Sequence, residues 1–340
     1  MNNTTVTLKQ VQALLPQLIK ANVVPFLHGS PAVGKSSIVK AVADKFKLKL
    51  IDVRLSQLDP TDLCGFPTFD KEKVVYKPVD LFPLEGDEVP KGYNGWLLFL
   101  DEANGASHAV QMASYRLILD REVGNHKLHK QVAIVAAGNL ETDNAIVNTM
   151  SSALISRFAH FEVKLKNEEW LEWAASTNID YRITSFIGFK PDLLYTFNPD
   201  ATGPYAAPRT WHMLSRVIND NPIDSDDIPL LASMVGEGVA REFVTYTKLY
   251  KELPDFNDIV ANPSTASMPS SLGTQWAVMS MVCSKVDDKT ATPIATYLER
   301  LPMELQVCAL RELKNRKGQD FLLNNVQEWF AKTAKEIYRV

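Results

Sequence analysis

The stretch FLHGSPAVGKSSIVKAVADKF, residues 26–46, decides the fold. Inside it, residues 29–36 read GSPAVGKS and fit the pattern Gly-x4-Gly-Lys-Ser/Thr. Such a loop works because backbone N–H groups, a helix N-terminus and one lysine converge on phosphate oxygens. Gly29 and Gly34 allow the tight turn, Lys35 reaches the outer phosphates and Ser36 offers its hydroxyl to magnesium. A lysine-containing turn before an ordinary core helix would look alike, so the flanks matter. Before the loop stands NVVPFL, a short apolar run suited to a strand. After it, Ile38, Val39, Val42 and Phe46 recur at helical spacing. Strand, glycine loop and helix is the context a phosphate loop requires.

Further along, KLKLIDVRL and GWLLFLDEA read as strands, the latter ending in two carboxylates. SHAVQMASYRLILD reads as a helix with Ser107 as N-cap, and QVAIVAAGN and AHFEVKL as two more strands. With the strand before the loop this makes five. Several are continuous apolar runs alternating with helices, which predicts a mainly parallel α/β sheet covered on both faces. Ahead of it, LKQVQALLPQLIKA predicts an amphipathic helix bent or ended near Pro16.

From about Asn167 strand signals fade. NEEWLEWAAS, PDLLYTF and PRTWHMLSRVI read as helices, with Asn167 and Pro191 as helix-start residues. Polar, proline-containing breaks fall at NDNPIDSDD and ANPSTASMPSS. The final stretch from Met303 reads as helices interrupted near Gly318. The organisation predicted is an α/β nucleotide-binding core over residues 1–165, a helical lid over 166–253 and a helical extension over 254–340.

Composition narrows the function classes. The 340 residues are 46% hydrophobic and 22% charged, with net charge −4, so a sizeable core can form and no global electrostatic grip on nucleic acid exists. Cys64, Cys283 and Cys308 are isolated, which excludes a zinc-ribbon pattern and a disulfide framework. No apolar run reaches the roughly 18 residues a membrane helix needs. The opening MNNTTVTLKQ lacks the blocks of a signal peptide, so the expected location is cytoplasmic.

Four further pieces carry chemistry. In LLFLDEAN, Asp101 and Glu102 follow an apolar strand, where one acid can support magnesium and the other can polarise a water. In VAIVAAGN, Asn139 ends another such strand, although Gly138-Asn139 is also good turn chemistry. SSALISRFAHF contributes Arg157 and AAPRTWHML contributes Arg209. Either arginine taken alone reads as a surface charge.

Together and in this order, these pieces resemble the AAA+ ATPases over roughly residues 23–218, and more closely their MoxR-like, dynein-related branch. VPFLHGSPAVGKS resembles the Walker A segment, DPTDLCGFP the segment after the second strand, and LLFLDEAN Walker B. AVQMASYRLILDREVG resembles the helix and turn that follow, VAAGN sensor 1, ALISRF the arginine-finger segment and APRTW sensor 2. The resemblance implies an AAA+ phosphate-loop core with a five-stranded parallel sheet, ATP and Mg2+ as ligands, and ATP hydrolysis. Val24, Gly29, Ser30, Pro31, Ala32, Val33, Gly34, Lys35, Ser36 and Ser37 would bind nucleotide, and Ser36 and Asp101 would hold the metal. Glu102 would be the catalytic base, Asn139 sensor 1, Arg157 a finger acting on a neighbouring subunit's nucleotide, and Arg209 sensor 2 on the lid. Ala32 departs from the family, where many relatives have glycine.

The same resemblance implies a homo-oligomeric ring, a hexamer, working as a chaperone-like remodeller on a separate protein, such as one with a von Willebrand A domain. Two hairpins, GFPTFDKEKVVYKP and REVGNHKLHKQV, correspond to insertions that face the pore or a partner in this branch. A nucleic-acid motor or loader is the alternative. KLHK and KNRK speak for it, while the acidic balance speaks against it.

Overall fold

The apolar runs of the first half become strands because each is buried on both faces. The computed structural model describes residues 4–143, 148–219 and 221–337. Met1 to Asn3 of the N-terminal stretch and Asp220 of the break that follows Asn219 lie outside the described residues. Strand β1 (Thr4–Thr7) leads into helix α1 (Leu8–Lys20), capped reciprocally by Thr7 and Gln10. Of the bend or end expected near Pro16, the end does not occur: α1 runs through Pro16 to Lys20. Then follow β2 (Val24–His28), α2 (Lys35–Lys45), β3 (Leu48–Arg54) and the short helix α3 (Pro60–Cys64). A hairpin of β4 (Phe66–Asp70) and β5 (Lys73–Lys77) comes next, then β6 (Gly95–Asp101). Helix α4 (His108–Tyr115), capped by Ser107, continues as a π-helical turn over Arg116–Asp120. A second small hairpin, β7 (Glu122–Val123) and β8 (His126–Lys127), precedes β9 (Val132–Gly138), helix α5 (Ser152–Ile155) and β10 (Phe158–Lys164).

The main sheet has the order β1-β10-β2-β9-β6-β3, with every pair parallel. It holds six strands: the five expected plus β1, which adds itself at the edge through Thr4↔Phe161 to Thr7↔Lys164. β1 has three threonines and one valine, so it carries no apolar run. Its β-branched side chains suit an extended edge all the same. β2 and β9 are buried throughout, and one core gathers Phe26, Leu98, Leu100 and Ile134 from the sheet with Val110 and Leu154 from helices.

The chain divides into two compact units: residues 1–165 with 198–200, and residues 166–197 with 201–340. In the second, the described residues hold no strand. It opens with α6 (Asn167–Ser176), α7 (Tyr181–Phe189) and α8 (Pro208–Ile218) and ends with Met303–Lys317, Gln319–Asn325 and Gln327–Ile337, the break falling at Gly318. Helices from both sides of residue 253 pack within it, Leu272–Lys285 against α7 and Met303–Lys317 against α6. The expected helix at PDLLYTF is a single 3-10 turn, Pro191–Leu194. Tyr195 turns extended, and its ring and that of Phe197 pack on Tyr205. No helix of the described residues is long and apolar enough to cross a membrane.

Candidate functional site

Three strand ends meet around the glycine loop. β2 stops at His28, and Gly29 N–H donates to Gly138 O at 3.3 Å, pinning the loop's start to the end of β9. The loop turns through Ala32, at φ +62°, and Gly34, at φ +105°, and so delivers Lys35 as the first residue of α2. Only glycine adopts the Gly34 conformation without strain. Ser30 Oγ donates to Asp143 Oδ1 at 3.2 Å and steadies the near side of the loop. Pro31 is half-buried, Val33 is buried and Ser37 is exposed on α2. Val24 lies buried at the start of β2.

Lys35 is 8% exposed. Its Nζ donates to Gly29 O, to Ser30 O at 3.1 Å and to Asn139 Oδ1 at 3.3 Å. These contacts hold the ammonium at the mouth of the glycine loop, beside the start of α2, where backbone N–H groups and a lysine together can receive phosphate oxygens.

Opposite stands the acidic end of β6. Ser36 Oγ donates to Asp101 Oδ2 at 3.1 Å, so a hydroxyl and a carboxylate share one point. Magnesium prefers such hard oxygen ligands and takes few from the protein when nucleotide phosphates supply others, so the pair fits it. Asp52, on the neighbouring β3, has its carboxyl raised by burial first and then by the nearby Asp101, a sign that negative charge is concentrated here.

Glu102 has left-handed backbone, φ +53° and ψ +33°. Its N–H donates to Asp101 Oδ1 at 2.9 Å. Its carboxylate accepts a hydrogen bond from Ser56 Oγ and lies 3.9 Å from Arg54 Nη1. With its side chain 40% exposed, it can reach a water molecule. Strained non-glycine backbone of this kind concentrates at sites where a side chain must be aimed.

Asn104 was not singled out in the sequence, yet it joins the second and third strand ends. It is 4% exposed, its Nδ2 donates to Asn139 O at 2.8 Å and its Oδ1 accepts Asn139 N–H at 3.2 Å. A Cβ on Gly138 would lie 2.1 Å from that Oδ1, so the close approach requires glycine there. Ser56, Arg54, Asp143 and His28 escaped notice as well. Their partners are distant in sequence, and nothing in their local spacing marks them.

The structure thus brings together Lys35, Ser36, Asp101, Glu102 and Asn139. Arg157 stands elsewhere in the same unit. It immediately precedes β10, whose first residue Phe158 is in register with Val24 at the start of β2, whereas the loop leaves the other end of β2. Its Nη1 donates to Ala153 O, and its guanidinium lies 5.3 Å from the Tyr115 ring. Arg209 belongs to the second unit, exposed in the first turn of α8.

A parallel sheet with a glycine loop between β2 and α2 defines the class: a phosphate-loop nucleotide-binding fold. Residues 25–158 match the family described as AAA domain (dynein-related subfamily), which supports an ATP-hydrolysing AAA domain in this part of the chain. No curated protein matches it in sequence. Similar solved structures include a candidate ATPase from Cytophaga hutchinsonii, 16% identical over 92% of this chain and 83% of that one, TM-score 0.38. A point mutant of RuvB from Thermotoga maritima is 15% identical over 83% of this chain and 86% of that one, TM-score 0.39. NtrX from Brucella abortus in complex with ATP is 12% identical over 98% and 69%, TM-score 0.41. Likenesses this remote carry no functional weight.

Proposed function

We propose that the chain is a MoxR-like AAA+ ATPase that hydrolyses ATP at the subunit interfaces of a homo-oligomeric ring, a hexamer, and uses the motion to remodel a separate protein. The observation that carries the ring is the position of Arg157. The five residues of β2 separate its level from the phosphate loop. Four steps of about 3.3 Å make that about 13 Å, too far for Arg157 to serve the nucleotide of its own subunit. An arginine supplied by a neighbour is worth about 10³–10⁵ in rate in other nucleotide hydrolases. A repeated head-to-tail contact that closes makes a ring.

In this reading residues 29–37 cradle the phosphates, Lys35 countering their charge and Val24 lying toward the base. Magnesium, when bound, is held by Ser36 and Asp101 and neutralises charge on the outer phosphates. Glu102, aimed by its own backbone and by Ser56, takes the proton of the attacking water. Asn139 sits on the Lys35 ammonium and orients the same groups. Arg209, on the helical unit, transmits the state of the nucleotide. The client contact falls on the β4–β5 hairpin, one face of which presents Pro67, Phe69, Val74 and Tyr76, with Phe69 83% exposed.

Mixed assemblies test this reading. Arg157→Ala subunits and Glu102→Gln subunits should each be inactive alone. Together they should regain turnover, because a Glu102→Gln subunit brings an intact arginine to the nucleotide of an Arg157→Ala subunit. A mixture no more active than its components excludes the trans arginine. ATPase stimulation by single-stranded DNA with steep salt dependence would redirect the proposal to a nucleic-acid motor.

A further inference from the structure

Arg157 follows the short helix α5, and α5 is tethered at both ends. At its start Ser151 caps it, accepting Leu154 N–H at 3.2 Å, and the Ser151 hydroxyl is hydrogen-bonded to that of Tyr115. At its end the carbonyl of Ile155 lies 2.8 Å from His160 Nε2. A carbonyl oxygen only accepts, so His160 carries its proton on Nε2 and presents Nδ1 as an acceptor. His28 Nε2 lies 2.8 Å from that Nδ1 and supplies the hydrogen. Burial, then the neighbouring His160 and Lys35, push the His28 imidazole down to about 4. It is therefore neutral near pH 7, and its single N–H is directed to His160.

The two imidazoles are stacked, centroids 5.1 Å apart and planes 24° apart, and Phe26 stacks on His28 at 4.2 Å. His28 is the last residue of β2. The next residue, Gly29, gives its carbonyl to Lys35 Nζ. A path of hydrogen bonds and one peptide link so runs from the phosphate-binding lysine to the end of β2, across to β10, and on to the helix that precedes Arg157. Packing does not require this polarity, because Phe26 and Phe158 fill the same layer with plain rings 5.1 Å apart.

We propose that His28 and His160 are positioning residues that couple a subunit's phosphate loop to the Arg157 it lends to its neighbour. The proposal rests on the reading of Arg157 as a trans-acting arginine. When Lys35 exchanges Gly29 O for a phosphate oxygen, the end of β2 loses a constraint, and the imidazole pair passes that change to Ile155 O and α5. Nucleotide binding in one subunit thereby sets the arginine that completes the next site.

The test uses the full-length chain with His160→Phe, which keeps a ring in the stack and removes both hydrogen bonds, and His160→Gln, whose amide can donate to Ile155 O and accept from His28. Misplacing a reacting group by about 1 Å costs about 100-fold. His160→Phe should lower kcat at least about tenfold while its affinity for a fluorescent ATP analogue stays within about twofold, and His160→Gln should return kcat to within about threefold. Mixed with Glu102→Gln subunits, His160→Phe should regain activity, because its defect lies in the arginine it lends. Wild-type turnover by His160→Phe overturns the proposal. So does a parallel loss of affinity, melting temperature and kcat that Gln does not restore. So does absence of complementation in mixtures where Arg157→Ala is complemented. Should His160→Phe not fold, His28→Phe breaks the pair from the loop side and carries the same expectations. If Arg157→Ala itself keeps full turnover, it is the trans reading that fails, a result separate from all of these.

Discussion

Ala32 holds a conformation that its Cβ resists, and the consequence can be measured. At φ +62° it is left-handed, in the middle of the phosphate loop. That region costs an L-residue with a Cβ about 1–2 kcal/mol. Ala32→Gly removes this cost, but the freer unfolded chain takes back about 0.4–1 kcal/mol. The net expectation is a stabilisation of about 0.5–1 kcal/mol. For a unit of this size about 1 kcal/mol moves Tm by about 2–4 °C, so the rise should be about 1–4 °C. Ala41 supplies an internal contrast. It is exposed in the interior of α2, nine positions further on, where the same change costs about 1 kcal/mol. Thermal unfolding of the nucleotide-free chain should therefore shift up for Ala32→Gly and down for Ala41→Gly. Two shifts of the same downward size would refute the reasoning, since they would mean that residue 32 is an ordinary right-handed position.

Lys35→Ala should abolish nucleotide binding. An affinity for a fluorescent ATP analogue within a few-fold of wild type would contradict the loop assignment. Ser56→Ala removes one hydrogen bond to the Glu102 carboxylate, and bonds to charged groups are worth about 1.5–3 kcal/mol, so kcat should fall about tenfold or more with KM little changed. A raised KM at constant kcat would give Ser56 another task. Glu102→Gln should bind ATP without turning it over and should lengthen the life of the assembly, seen by size-exclusion chromatography with ATP. The His28 pair predicts an acid weakness. The folded-state value of about 4 lies below the unfolded 6.5, so the unfolded chain takes up the proton first and stability falls as pH drops from about 6.5 toward 4. The full loss from this group is about 3 kcal/mol. Urea midpoints measured across that range should flatten in His28→Gln, and an unchanged slope would place the acid sensitivity elsewhere.

The parallel core was legible because strands buried on both faces must be apolar throughout, as LLFL and VAIVAA are. Both hairpins were legible through the family resemblance, as insertions of that branch, and the structure turns them at Lys71-Glu72 and Gly124-Asn125 between paired strands. β1 was not, because an edge strand of threonines draws its order from the β10 backbone and leaves no periodic trace. PDLLYTF misled for a related reason: its apolar residues suit a helix, but the packing of Tyr195 and Phe197 on Tyr205 takes the chain out of it. Around the candidate site the motif residues could be read directly, while their supports could not. Ser56 reaches Glu102 across 46 positions, and His28 reaches His160 across 132. Contacts of that span depend on strand order, which a single chain of letters does not record.

The close approach of Gly138 to Asn104 also bears on how this site can evolve. With the Asn104 amide occupying the space beside Gly138, any side chain at 138 has to displace the group that holds Asn139 in place. Neither position is free to vary while the other stands. The two should behave as an epistatic pair, in which a lineage that gains alanine at 138 has first reduced 104 to glycine, alanine or serine and found Asn139 another support.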